Sequence, residues 1–300
     1  MSYNGFINIL KPSGMSSSYA VVGVRKMFEK GTRVGHMGTL DPAAAGVLPV
    51  GIGFAARLFD YIIDKEKEYI CELSLGIRTD TQDADGRILS REKVNVSREA
   101  VLEAMQAFKG DILQTPPAYS AVMKDGRKLY HIAREGGDTT LEKRPAHVEE
   151  IELLEQTDDD KYLLRVVCGR GTYIRTICAD IGDTLGCGAH CSFLLRTKSG
   201  CFTTENAVSL EHVKAGNLDL LPIDLPIMNF KRLDANEKLR KMIKNGAPLP
   251  VKRYIRQDEI FEGETVRVYL SDRFVGIANI EDGIVKFKTV MPPEEFDHVQ

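Results

Sequence analysis

No apolar run in the 300-residue chain approaches the roughly 20 residues that a membrane-spanning helix needs, so a helical membrane protein is excluded. The first residues lack a basic stretch followed by an apolar one, so no signal peptide is expected. The six cysteines, Cys71, Cys168, Cys178, Cys187, Cys191 and Cys201, have no framework-like spacing. That predicts reduced thiols in a cytoplasmic protein rather than a disulfide scaffold. Cys187, His190 and Cys191 lie close together, but no second ligand pair follows at finger spacing, and no metal is expected. There is no excess of positive charge: the formal net charge is −3. This does not exclude a nucleic-acid partner, because local patches decide that and the total does not. What is present is a 43% hydrophobic fraction, enough for a real core, and a length that suits one large and one small domain.

The most informative stretch is Gly35 to Pro49, GHMGTLDPAAAGVLP. It is too rich in Gly and Pro for a helix and too apolar for a solvated loop. Asp41 is its one carboxylate, and Asp-Pro sets an extended or turn geometry. Two readings stand side by side. Either a shaped loop presents a carboxylate to a ligand that small residues let approach closely, or Asp41 merely accepts backbone hydrogen bonds in a tight turn.

Around this stretch the chain alternates strand and helix signals. Phe6 to Leu10 reads as a strand, Ser16 to Ser18 as a helix N-cap, and Tyr19 to Lys30 as a helix with one apolar face. Phe54 to Ile63 reads as a buried helix. Gly51-Ile52-Gly53-Phe54-Ala55-Ala56 matches a relaxed dinucleotide fingerprint, but no series of strand–helix–strand units follows, so a Rossmann reading fails. Glu68 to Leu75 alternates like a half-buried strand. Thr79 to Gly86 resembles a calcium loop superficially. Its glycine falls one place late and Arg91 stands where a Glu is required, leaving a turn capped by its own side chains. Ser97 caps a helix to about Phe108, and Gln114 to Ala121 is extended by its prolines. Residues 124–144 form a basic excursion with six cations against four acids. Two strands follow, about His147 to Gln156 and Tyr162 to Cys168. Thr172 should cap a helix ending near Gly186, and Ser192 to Thr197 reads as a strand. Leu221 to Pro226 reads as a linker into a small β-rich module of about 70 residues.

Asp41, Tyr69, Tyr173, Arg175 and the basic stretches have no obvious packing role. One carboxylate, one cation and aromatic rings suit an ionised Asp beside a ring on which a flat ligand stacks. Such an Asp can be a nucleophile or a base. The basic stretches suit a polyanion-binding face.

In order and spacing the chain resembles the bacterial tRNA pseudouridine-55 synthases, the TruB family. The resemblance rests on Gly35 to Pro49, Lys67-Glu68-Tyr69, Thr79 to Gly86, Gln114 to Ala121, Gly171 to Arg175 and Leu194-Leu195-Arg196. It runs from about Phe6 to Ser209. It implies an α+β pseudouridine synthase fold: a mainly antiparallel mixed sheet with flanking helices, plus a small C-terminal PUA-like β domain. The implied division is 1–228 for the catalytic domain, with a mobile RNA-binding insertion at about 124–144, and 229–300 for the PUA-like RNA-binding domain. The resemblance implies Asp41 as nucleophile, Tyr69 as stacking ring and help in removing the uracil C5 proton, and Arg175 as partner of Asp41. It implies that Tyr173 and Leu194 line the base pocket together with Gly38 and Leu40. His36 would fill the space a flipped nucleotide leaves, and Lys124, Arg134, Arg170 and Arg196 would contact RNA. The implied partner is the T-arm stem-loop of tRNA, with no guide RNA, membrane or cofactor, and a monomer is expected.

Overall fold

The computed structural model describes residues 3–62, 65–256 and 259–296. Strand β1 (Gly5–Lys11) leads into helix α1 (Ser17–Arg25), whose start is capped by Ser16 accepting from the Tyr19 amide at 3.2 Å. Strands β2 (Val34–His36) and β3 (Ala45–Ile52) follow. They take both ends of the 35–49 stretch into the sheet, leaving only residues 37–44 as loop. The expected Phe54–Ile63 helix is instead a 3₁₀ turn over Gly53–Leu58 followed by the short helix α2 (Phe59–Ile62), and Ile63 lies outside the described residues. The tighter winding fits the sequence: Ala55 and Leu58, three apart, are both fully buried.

Strand β4 (Lys67–Leu75) is followed by the hairpin β5 (Ile77–Thr79) and β6 (Ile88–Arg91), helix α3 (Arg98–Gln106) and strand β7 (Gly110–Gln114). The basic excursion contains a small hairpin, β8 (Met123–Lys124) with β9 (Arg127–Lys128), and helix α4 (Leu129–Arg134). Then come β10 (Arg144–Asp158), β11 (Lys161–Cys168), α5 (Ile174–Thr184), β12 (Ala189–Ser199), β13 (Phe202–Thr203) and α6 (Leu210–Lys214). Thr172 does not cap α5. The cap position is Tyr173, whose amide is taken by the Gln114 side-chain oxygen at 3.0 Å, so a distant segment does the capping.

The large sheet runs β1-β3-β12-β4-β11-β10-β7, with β2 on β3 and β13 on β12. All its pairs are antiparallel except β12 with β3, joined only through Leu195↔Ala45 and Arg196↔Gly46. Strand β3 is nearly continuous apolar sequence because both its faces are covered. Leu48, Val50 and Ile52 join the main core with α1, α3 and α5 residues, while Val47 joins Phe6 on the other side. A second sheet, β15-β19-β18-β17-β14-β16, is built from β14 (Lys231–Ala235), β15 (Leu249–Pro250), β16 (Ile255–Arg256), β17 (Thr265–Leu270), β18 (Arg273–Glu281) and β19 (Ile284–Val290), with helix α7 (Arg240–Lys244) between its first two strands. It has its own core and also joins the first sheet, since Tyr269, Phe274 and Ile277 pack in one cluster with Phe6, Val47 and Phe54.

The β3–β12 junction permits no side chain at position 46. Gly46 has φ +112°, and a Cβ there would lie 2.1 Å from the Arg196 carbonyl oxygen. Gly14 also has positive φ, +83°, but an open surround with nothing within 4 Å. Gly46→Ala should therefore cost at least about 2 kcal/mol in denaturant unfolding, and Gly14→Ala clearly less, because only the first adds a backbone collision to the conformational strain. Equal losses would show that the junction is not the constraint.

Candidate active site

The loop between β2 and β3 is tied down from two sides. On one side Lys11, fully buried, donates from Nζ to the carbonyls of Met15 (2.6 Å), Pro12 (2.9 Å) and Pro42 (3.3 Å). Ser17 Oγ donates to Leu40 O at 2.7 Å and accepts from Leu40 N at 2.8 Å, and Ser13 Oγ donates to Ala43 O at 2.7 Å. On the other side stands Arg196. It was expected among the RNA-facing cations, but it is 1% exposed. Its guanidinium donates to Val47 O (2.8 Å), Gly38 O (3.2 Å) and Thr39 O (3.3 Å). The physical reason is position: Arg196 lies at the β3–β12 junction, where unpaired loop carbonyls need donors and water is excluded.

These ties present Asp41 to Arg175, and the carboxylate Oδ2 lies 2.8 Å from Nη2. The Arg175 side chain is only 4% exposed, that of Asp41 34%. The same guanidinium donates from Nη2 to Tyr119 O (3.1 Å) and from Nη1 to Thr81 O (2.7 Å), and Nη1 lies 3.4 Å from Asp83 Oδ2. A buried cation is thus shared between two carboxylates and two carbonyls from three different segments, which is the condition for a buried charge to be tolerated. Asp83 is oriented by Thr81, whose hydroxyl donates to its Oδ1 at 2.5 Å, and the 79–86 turn is fastened to β12 by Cys191 N donating to Gln82 O at 3.0 Å. The self-capped turn read from the sequence is therefore also the clamp that holds Arg175.

Beside the ion pair lies a cavity of about 220 Å³. Gly38, Leu40, Asp41, Tyr69, Tyr173, Arg175 and Leu194 line it, with Ser120, Arg170 and Arg196. Tyr69 comes from β4, Leu194 from its neighbour β12, and Tyr173 from the start of α5, where Gln114 brackets it by also donating from Nε2 to Tyr173 O at 3.2 Å. Burial pushes the Tyr69 and Tyr173 phenols above their ordinary pKa, so both are neutral at pH 7. For Tyr69 the adjacent Arg196 works in the opposite direction. His36 stands outside the cavity at the end of β2, with Nδ1 buried and unpartnered; burial first, then Arg196 and Lys128, lower its pKa and keep it neutral. Lys124 closes the basic excursion on itself, donating to Asp138 Oδ2 (2.8 Å) and Thr140 O (2.9 Å). Arg134 is exposed on α4, above the Tyr130 ring at 5.7 Å. Arg170 is exposed at the cavity rim. Among the described residues no group of three His, Cys, Asp or Glu has the geometry of a metal site, and no helix is long and apolar enough to cross a membrane.

Sequence reasoning brought Asp41, Tyr69, Tyr173, Arg175 and Leu194 into one group, and they share one cavity. It missed Lys11, Asp83 and Gln114. For Lys11 the only signal was a cation closing an apolar strand. Asp83 and Gln114 stood within quoted motifs, but nothing local showed which distant group each would face.

The fold around this pair is that of the pseudouridylate synthases. A chain in the "Crystal Structure of a Cbf5-Nop10-Gar1 Complex" superposes with a TM-score of 0.72 at 25% identity, covering 98% of this chain and 87% of that one. Another, in the "Structure of H/ACA RNP bound to a substrate RNA containing 2'-deoxyuridine", gives 0.72 at 25% identity over 97% of this chain and 86% of its own. Residues 25–174 match the TruB family pseudouridylate synthase N-terminal domain, and residues 175–220 the tRNA pseudouridylate synthase B C-terminal domain. The chain belongs to the TruB family and is a pseudouridine synthase, an isomerase. Similar proteins include the tRNA pseudouridine synthase B of Alkaliphilus oremlandii (strain OhILAs), 42% identical over 93% of this chain and 94% of its own. That of Clostridioides difficile (strain 630) is 41% identical over 92% and 94%.

Lys11 makes the loop sensitive to pH. Burial lowers its pKa from 10.5 to about 8, against the pull of Asp41. The folded value lies below the unfolded one, so between about pH 8 and 10.5 the unfolded chain holds more protons and this group adds stability as pH rises. The three carbonyl bonds go the other way, because a neutral amine has one N–H fewer to donate. Activity should fall as pH rises through about 8 without a matching loss of melting temperature. Lys11→Met should lower kcat on the order of 10²-fold by letting the loop shift. A flat wild-type profile together with a fully active Lys11→Met enzyme would refute this role.

Proposed function

We propose that the enzyme converts uridine 55 in the T-loop of tRNA to pseudouridine, acting alone on the T-arm stem-loop with Asp41 as nucleophile. The observation that carries this reading is the Asp41–Arg175 pair at the wall of a cavity lined by Tyr69, Tyr173 and Leu194. The relatives named tRNA pseudouridine synthase B support tRNA as substrate.

The target nucleotide leaves the loop stack and enters the cavity, at a cost of a few kcal/mol that an RNA loop keeps low. His36 then fills the vacated space. Arg175 keeps the Asp41 carboxylate charged and aimed, so that it attacks as an anion. The bond between N1 and C1′ breaks, the uracil turns over, C5 bonds to C1′, and the bond that Asp41 formed is broken again, restoring its carboxylate. Tyr69 stacks on the ring and assists removal of the C5 proton. Its phenol is neutral at pH 7, and Arg196 beside it favours the phenolate, the form that takes the C5 proton once the phenol has given its own proton to N1 of the freed ring. Arg170 at the rim, and Lys124 and Arg134 on the 124–144 insertion, hold the RNA backbone as the insertion closes over it. The second sheet acts as a PUA-like RNA-binding domain spanning 229–300, after a catalytic domain of 1–228. No cofactor or guide RNA takes part.

The structural neighbours with Cbf5 favour one other reading, a synthase that works only inside an RNA–protein particle. A bare T-arm stem-loop carrying tritium at uridine C5 separates the two. The stand-alone reading expects tritium release and pseudouridine at position 55 with protein alone. Asp41→Asn should abolish release while stem-loop affinity stays within about threefold, since the half-buried carboxylate supplies chemistry rather than RNA affinity. Robust release by Asp41→Asn would remove Asp41 from the nucleophile's role.

A further inference from the structure

Among the described residues, the cavity wall contains a buried side-chain hydroxyl that folding leaves unpaired. Ser120 is 4% exposed and lines the cavity, and its hydroxyl has no hydrogen-bond partner. It lies close enough to the Tyr173 phenol to lower that phenol's pKa against the stronger effect of burial, but its geometry closes no hydrogen bond between the two. A buried hydroxyl without a partner is a cost to the fold, and such groups call for an explanation.

The backbone around Ser120 is held on both sides. Tyr119 O accepts from Arg175 Nη2 at 3.1 Å, and Ser120 O accepts from Tyr130 N, on the 124–144 insertion, at 3.1 Å. Gln114, at the start of the same extended segment, grips both backbone groups of Tyr173. The backbone that carries the hydroxyl is therefore held at a fixed place on the wall of the cavity that Tyr173, Asp41 and Arg175 also line.

We infer that Ser120 Oγ–H is a uracil-binding donor that holds a ring carbonyl both before and after the base turns over. The inference rests on reading the cavity as the uridine pocket. Uracil has an approximate symmetry that makes one donor sufficient. Rotation by half a turn about the C6–N3 line exchanges N1 with C5 and, with them, O2 with O4. A donor placed beside one carbonyl in the starting orientation meets the other carbonyl in the final one. The reaction needs such a hold. The N1–C1′ bond breaks with its electron pair going to N1, and the C5–C1′ bond forms from the electrons of the ring. The C5 proton then leaves and N1 takes one up. Between breaking and forming, no bond joins the base to the ribose, and only the pocket keeps it in register.

The test combines Ser120→Ala with chemically edited stem-loops in which the target is 2-thiouridine or 4-thiouridine. Sulfur accepts hydrogen bonds weakly, so each thio substitution should slow the wild-type enzyme if a donor reads that position. Ser120→Ala should lower kcat about tenfold on ordinary uridine, the equivalent of one hydrogen bond. The variant should also be slowed clearly less than wild type by either sulfur. Ser120→Cys, nearly isosteric and a poor donor, should behave like Ser120→Ala, with melting temperature and stem-loop affinity unchanged in both. Wild-type kcat in both variants, or thio effects as large in the variants as in wild type, would overturn the role of Ser120 alone. Wild-type protein that makes no pseudouridine from the uridine stem-loop would overturn the reading of the site and this inference with it.

Discussion

The guanidinium of Arg175 is the point on which the site depends. It is buried, and its four oxygen contacts come from three stretches of chain: Asp41 in the β2–β3 loop, Thr81 and Asp83 in the turn after β5, and Tyr119 in the proline-extended segment. A cation withdrawn from water is stable only while those partners stay in place. The partners, being acids and carbonyls, need the cation in turn. The geometry of the Asp41 loop, the 79–86 turn and the 119–120 wall is therefore one coupled arrangement, and disturbing any part is felt at Asp41.

The second constraint is the way the loop of residues 37–44 is fastened. A loop so short of regular structure has many unpaired carbonyls, and here two buried cations satisfy them. Lys11 reaches Pro42 from β1, and Arg196 reaches Gly38, Thr39 and Val47 from β12. Small residues make this possible, above all Gly46, where the Arg196 backbone passes too closely for any side chain. The loop thus behaves as part of the sheet, and Asp41 is held in a fixed position by the framework around it.

Much of this was legible in sequence order. The amphipathic stretch at α1, the alternation of β4, the capping serines at 16 and 97 and the Asp41 motif declare themselves locally, because helix caps, strand faces and Asp-Pro turns are decided by neighbours along the chain. What misled was context. Arg196 looks like any surface arginine in a run with Lys198, until β12 places it against a loop that needs donors. Thr172 looks like a cap until Gln114 arrives from β7. Phe54 to Ile62 has helical composition, but the packing of Ala55 and Leu58 tightens its first turn.

The sequence by itself determined the inventory: an Asp in a small-residue loop, aromatic residues, an arginine at a helix start, and motifs in the order that marks the TruB family. Those are properties of residue type and spacing. Only the tertiary structure decided the assignments among them. It set the Arg175 guanidinium against Asp41 and turned Arg196 inward to the loop carbonyls, made the 79–86 loop a clamp, buried Lys11 beneath the Asp41 loop, and left the hydroxyl of Ser120 unpaired in the cavity wall. The physical reason is that charge pairing and desolvation depend on distance and burial in space, and segments as far apart as residues 11, 41, 83, 120 and 175 acquire those only when the sheet has formed.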